Sequence, residues 1–277
     1  MSTPGSFDTE SRPKDDVWPA AAPEAGLPPI GPDVAAATAP APLPRWRAVA
    51  EAVLCSSYPT QIAAATALAA FGVRATTPGG RLEASFVLGL AVGDALLVAA
   101  LVVYLLKRRG ESVRAVMLGR SSPLRDAAFG AGLVLPVTVG VAFVIAGLRA
   151  IWPAIHNVDT NPMMDVMADP RLVAVFALVV MLAGGVREEM QRAFQLHRLA
   201  PGVMGRWPAL VLTSVSFGAG HTVQGYDAAV ATGLLGALWG ALWLSRGSIV
   251  APAVCHALFN LGQLIAAWWV ARHGLAA

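Results

Sequence analysis

Three long runs of uncharged, apolar residues limit what this chain can fold into. Phe86 to Leu106 is 21 residues broken only by Asp94, Ala127 to Leu148 is 22 residues without a charge, and Gly247 to Ala271 is 25 residues whose ionisable side chains are Cys255 and His256. Each reaches the roughly 20 residues that a helix rising about 1.5 Å per residue needs to cross about 30 Å of hydrocarbon. One such helix can hide in the core of a large water-soluble protein, but several in series leave too little polar surface to face water. The charge content agrees: 13% of the 277 residues are charged, where a soluble domain carries about 25%. The sequence therefore predicts an all-α fold, a polytopic membrane helix bundle of about seven to eight transmembrane helices, multi-pass in the cell membrane.

Spans are expected near 52–73, 86–106, 127–148, 172–195, 207–225, 228–244 and 249–270. Residues 1–44, rich in Pro, Ala, Asp and Glu without apolar period, read as a disordered tail. Residues 45–124 supply N-terminal membrane helices and a basic connecting segment, and 125–277 form the membrane domain that carries the chemistry. Arginine-bearing loops alternate with an acidic loop at 152–170, which an amino terminus on the cytoplasmic side satisfies. The net charge of +3 lies between the apolar runs. That placement suits the headgroups of a lipid bilayer, and its spacing gives no nucleic-acid surface. Cys55 and Cys255 read as small buried hydrophobes. The spacings Gly89 with Gly93 and Gly236 with Gly240 let helix backbones approach closely. Trp239, Trp243, Trp268 and Trp269 suit lipid or interface contact, and Asp94 reads first as a structural bond to a neighbouring helix and second as a group facing the cavity.

The chemistry sits in three later stretches. Residues 184–194 place Arg187, Glu188, Glu189 and Arg192 at the end of a 15-residue apolar run. A second stretch, Phe217 to His221, puts a histidine after another apolar segment. In the third, His256 and Asn260 lie one turn apart on one helix face within the longest uncharged run. Each alone has a bland explanation: a span that ends, or a structural histidine. Together they would mean several unrelated desolvation penalties, whereas one shared polar cavity accounts for all. Helix rise puts Glu189 about 13 Å inward of Arg198, His256 about 15 Å from Arg246, and His221 about 21 Å from Trp207 if that segment is helical throughout.

In such a cavity Glu188 or Glu189 can take a proton from water and return it to a leaving group. His221 can hold or polarise the water, and His256 with Asn260 can donate to an oxyanion. Arg192, four residues from Glu188 and three from Glu189, can pair with either. The chemistry calls for no cofactor. A divalent metal such as zinc, held by Glu and both histidines with water fourth, stays open, although the spacing His-Glu-x-x-His is absent.

These residues resemble the CPBP family, the CAAX prenyl proteases of the second type and bacteriocin-processing or immunity membrane proteins also called Abi. Its pattern is a diglutamate followed by arginine, then Phe-x-x-x-His, then His-x-x-x-Asn. Glu188, Glu189 and Arg192 supply the first part, Phe217 and His221 the second, His256 and Asn260 the third. The similarity extends over about residues 125–270. One spacing departs: the family has three residues between the glutamates and the arginine, and here Met190 and Gln191 alone intervene. Arg192 is equivalent only if it reaches the site from another angle. The resemblance implies a glutamate that activates water for peptide cleavage within the membrane, with Glu188 as the base and Glu189 its partner. Metal dependence has also been proposed for such proteins.

The function expected is an intramembrane endopeptidase acting on a membrane-anchored or lipidated peptide or protein. The alternative is a non-catalytic immunity or scaffold protein that binds a peptide or partner in the same cavity. A transporter would suit intramembrane carboxylates as well, but the two halves show no inverted repeat.

Overall fold

The computed structural model describes residues 43–159 and 172–273. The tail expected at 1–44 lies almost wholly outside the described residues, as does the second half of the 152–170 loop. The described residues are helical, with one isolated extended bridge, Thr76 to Leu82. The helices are α1 (Arg45–Leu54), α2 (Tyr58–Ala70), α3 (Ala84–Arg108), α4 (Val113–Leu118), α5 (Pro123–Gly132), α6 (Val134–Ile151), α7 (Val173–Val179), α8 (Glu188–Leu199), α9 (Arg206–Ala219), α10 (Tyr226–Arg246) and α11 (Val250–Arg272). A widened turn of π type, Val180–Arg187, joins α7 to α8 without a break in the helical path.

Four stretches are long and apolar enough to cross a membrane: Ala84–Arg108, Val113–Ile151, Tyr226–Arg246 and Val250–Val270. The expected count of seven to eight drew on three further segments, of which the structure divides the first, carries the second through as one helical path and shortens the third. The run expected at 52–73 is split at Cys55–Ser57, where Ser57 takes φ 70° and α2 restarts with Pro59 in its first turn. Proline has no backbone N–H and is therefore tolerated in the first turn of a helix, where that donor would have no partner, which suits a helix start here. The segment at 172–195 is helical but passes through the π turn into a charged helix. The segment at 207–225 stops at Ala219, so His221 stands in a turn before a short 3₁₀ piece, Thr222–Gln224. The distance of about 21 Å from Trp207 assumed helix throughout, and α9 ends two residues short of His221.

The outside of the bundle is apolar and the inside carries charge. Leu135 and Phe143 are 73% and 74% exposed, whereas Asp94 and Glu189 are 1% exposed. Water would punish both features, and lipid tolerates the first while the buried groups satisfy one another. The protein is a membrane protein.

Helix α8 runs through the middle. Its Ala193 and Phe194 pack on Val98, Val102, Leu105 and Leu106 of α3. Leu196 and Leu199 pack on Ala209 and Leu210 of α9 and on Ala52 of α1. A second layer joins Trp239 of α10 to Cys255 and Phe259 of α11 and Val137 of α6. Close approach fixes the key crossing. A β-carbon at Gly185 would lie 2.5 Å from that of Ala257 on α11, and one at Gly184 would lie 2.5 Å from Asn260 Nδ2. The pair Gly236 and Gly240 behaves as its spacing predicts, since β-carbons there would strike Phe217 and Leu210. Both cysteines are free and buried.

Candidate active site

Helix α8 opens with strong helix formers, Glu-Glu-Met-Gln-Arg-Ala, and its pitch sets Glu189 and Arg192 on one face. The Arg192 guanidinium donates to Glu189 Oε1. It lies 4.4 Å from the centre of the Phe217 ring and 5.7 Å from that of Trp239. Arg192 therefore reaches the site in spite of its shorter spacing, and its partner is Glu189, not Glu188. The same Oε1 accepts from His256 Nδ1 at 2.9 Å. A carboxylate has no hydrogen to give, so this contact places a hydrogen on Nδ1, and a neutral imidazole then leaves Nε2 as an acceptor. Trp239 stacks on the imidazole, centroids 3.7 Å apart and planes 18° off parallel. Trp239 is thus an inner wall of the site and not a lipid contact. Its α10 position points inward where Gly236 and Gly240 bring α9 and α10 together.

Glu188 differs from its neighbour. Its nearest charged partners are His256 Nε2 at 3.6 Å from Oε2 and Arg187 Nη1 at 3.8 Å from Oε1, both beyond hydrogen-bond distance. Its side chain is 16% exposed, against 1% for Glu189 and 5% for His256. It is the accessible carboxylate of the pair.

The remaining expected residues stand around this group. His221 sits in the turn after α9, with Nδ1 donating to the Phe217 carbonyl at 2.8 Å and its ring 4.7 Å from that of Phe217. The Phe217 ring in turn lies 6.3 Å from that of His256. Asn260 lies one turn beyond His256, its amide against Gly184. Among the described residues no hydrogen bond joins His221 or Asn260 to Glu188, Glu189, Arg192 or His256. The single shared cavity expected from the sequence is a packed cluster of Glu188, Glu189, Arg192 and His256, with His221 and Asn260 at its margins.

A metal ligand set of Glu with both histidines is not assembled. Glu189 Oε1 is occupied by Arg192 and His256, and among the described residues no three His, Cys, Asp or Glu side chains converge to hold an ion.

Sequence reading missed a second layer. Arg187 contacts Asp94 on α3, Ser57 Oγ at 2.8 Å and Gln191 Oε1 at 3.0 Å. Arg187 and Gln191 are one turn apart on the diglutamate helix, a signal that was available. Ser57, in the break before Pro59, gave none. Asp94 does bond a neighbouring element, as expected. Asp227, beyond His221, is buried and held by Arg149 at 2.7 Å and His156 at 3.1 Å.

Residues 170–262 match the family model described as Rce1-like, type II CAAX prenyl endopeptidase. The matched range starts later than the 125 expected and holds every motif residue named above. No curated protein and no solved structure matches the chain. The motif order, the gathering of Glu188, Glu189 and Arg192 about His256, and the family match converge on one likeness: the segment 170–262 is similar to the Rce1-like type II CAAX prenyl endopeptidases.

Proposed function

We propose that the protein is a multi-pass endopeptidase of the cell membrane that hydrolyses a peptide bond in a membrane-anchored or lipidated peptide, with Glu188 activating water. The observation that carries this is the asymmetry of the two glutamates. Glu189 is closed by Arg192 and His256, while Glu188 is accessible and has no partner within hydrogen-bond distance. An acceptor left open beside an oriented imidazole is what a general base requires.

Glu188 takes a proton from water, and the oxygen attacks the scissile carbonyl carbon. The tetrahedral oxyanion then collapses, the C–N bond breaks, and Glu188 returns the proton to the leaving amine. With its hydrogen on Nδ1, His256 offers Nε2 as an acceptor, so water that reaches Glu188 Oε2 is within range of both. That assignment moves the oxyanion role from His256 to Asn260, whose amide N–H groups lie one turn along α11. Glu189 and Arg192 hold the imidazole, and Trp239 fixes its plane. His221 keeps Nε2 for water or substrate on the other side of Phe217. The family description directs the choice of substrate to a prenylated carboxyl-terminal peptide.

The test is turnover of a fluorogenic farnesylated peptide by the purified protein in detergent. Glu188→Gln is expected to abolish it with folding intact, and unchanged turnover in both E188Q and E189Q would overturn the assignment. The second reading is a binding protein of the immunity or scaffold type that uses the same cluster. Partner capture that survives the E188Q/E189Q double substitution, with no cleavage by wild type, selects it.

A further inference from the structure

We propose that Asp94 is a positioning residue for Glu188, acting through Arg187 as a competing carboxylate that keeps the guanidinium off the base. This rests on the reading of Glu188 as the base, and it brings in α3, which lies outside residues 170–262.

Arg187 is the residue before Glu188, yet its side chain is turned to the other side. One guanidinium nitrogen meets Asp94 Oδ2, and Nη1 reaches Ser57 Oγ at 2.8 Å and Gln191 Oε1 at 3.0 Å. Asp94 is held in turn by the Thr60 hydroxyl, which also bonds the Ser57 carbonyl at 3.1 Å, and the Ser57 hydroxyl donates to Gln191. All five side chains are buried. They come from the break before α2, the start of α2, α3, the π turn and α8.

One buried cation therefore faces two carboxylates, Asp94 in contact and Glu188 at 3.8 Å. A guanidinium at such depth does not stay without an anion, because an unpaired buried charge is strongly unfavourable. Asp94 satisfies it and leaves Glu188 without a direct ion pair. Once Asp94 loses its charge, the nearest anion is Glu188, and closing less than 1 Å (on the order of a side-chain rotation) converts a neighbour into a salt bridge. The lone pairs that must receive the water proton are then occupied.

The test compares full-length wild type, D94N, R187Q, D94N/R187Q and E188Q in detergent, with turnover of the farnesylated fluorogenic peptide and thermal melting for each. D94N is expected to lower kcat by about tenfold with little change in KM. Adding R187Q is expected to raise kcat about threefold over D94N alone, a reversal of sign that loss of structure does not produce. Wild-type kcat in D94N, or a double variant no faster than D94N, overturns the proposal. Should D94N give no folded sample, Thr60→Val, which loosens Asp94 by one hydroxyl, is read in the same way: lower kcat relieved by R187Q supports it, and no relief overturns it. The two claims separate, since wild-type turnover in E188Q removes the base itself, whereas an inactive E188Q with no relief in the double variant removes the positioning role alone.

Discussion

The two ends of α8 use the same residue types for different purposes. At its last turn Arg198 bridges Glu51 and Glu111, each at 2.7 Å, and Glu111 is also met by Arg109 at 2.8 Å and His197 at 3.2 Å. Each carboxylate there is closed by a cation, and the network ties α1 and the α3–α4 connection to α8. At the first turn Arg192 and His256 share one oxygen of Glu189, Arg187 is drawn to Asp94, and Glu188 is left open. Charge and burial do not separate a brace from the proposed reactive site in this protein. The acceptor without a partner does.

The largest effect expected from breaking this contrast is on turnover. E188Q should lower kcat by about 10²- to 10⁴-fold, the range for loss of a general base, with little change in melting temperature because nothing closes on that side chain. E189Q should lower both activity and stability. If E188Q cost as much stability as a change at the other end, the contrast would fail. Next, Arg198→Ala leaves two carboxylates buried without their shared cation and should cost about 3–5 kcal/mol, read by denaturant unfolding, with kcat per folded molecule preserved. A smaller effect is expected at Trp239. W239F keeps a ring but trims the stack on His256, a loss of about 0.5–1.5 kcal/mol, and should reduce kcat more than the melting temperature.

The smallest concerns pH. Burial acts to raise the Glu111 carboxyl, but hydrogen bonds from His197, Arg109 and Arg198 outweigh it and hold the group at about 2 against an ordinary 4.5. The fold therefore favours the ionised form. Its contribution is complete above about 4.5 and is lost as pH falls from there toward 2. Melting temperature should fall through that window in wild type and more gently in E111Q.

Much of the site is legible in the sequence because its residues contradict their surroundings. Glu188, Glu189, His256 and Asn260 stand out against apolar neighbours, and helix pitch alone places Glu189 with Arg192 and His256 with Asn260. The family match at 170–262 bears out the resemblance read from those motifs. Sequence does not reveal which glutamate Arg192 takes, since three- and four-residue spacings both allow contact. Trp239 escapes sequence reading because an indole in an apolar helix suits lipid and core alike, and only the direction of its face decides. At Cys55–Ser57 the sequence suggests one span over 52–73, whereas a new helix begins at Tyr58 with Pro59 in its first turn. Ser57 carries no pattern at all, because its role exists only once α2, α3 and α8 are side by side.

The π turn at Val180–Arg187 sets the rotational phase of α8. Such a turn is a helix with one residue too many, and each residue advances a regular helix by about 100°. That surplus residue decides which way the diglutamate looks as α8 begins. Deleting one residue there would let the chain run through as an ordinary α-helix and swing Glu188 and Glu189 about a quarter of a circle from His256. The composition of the protein would be almost untouched, and its two adjacent glutamates would be aimed at the wrong neighbours.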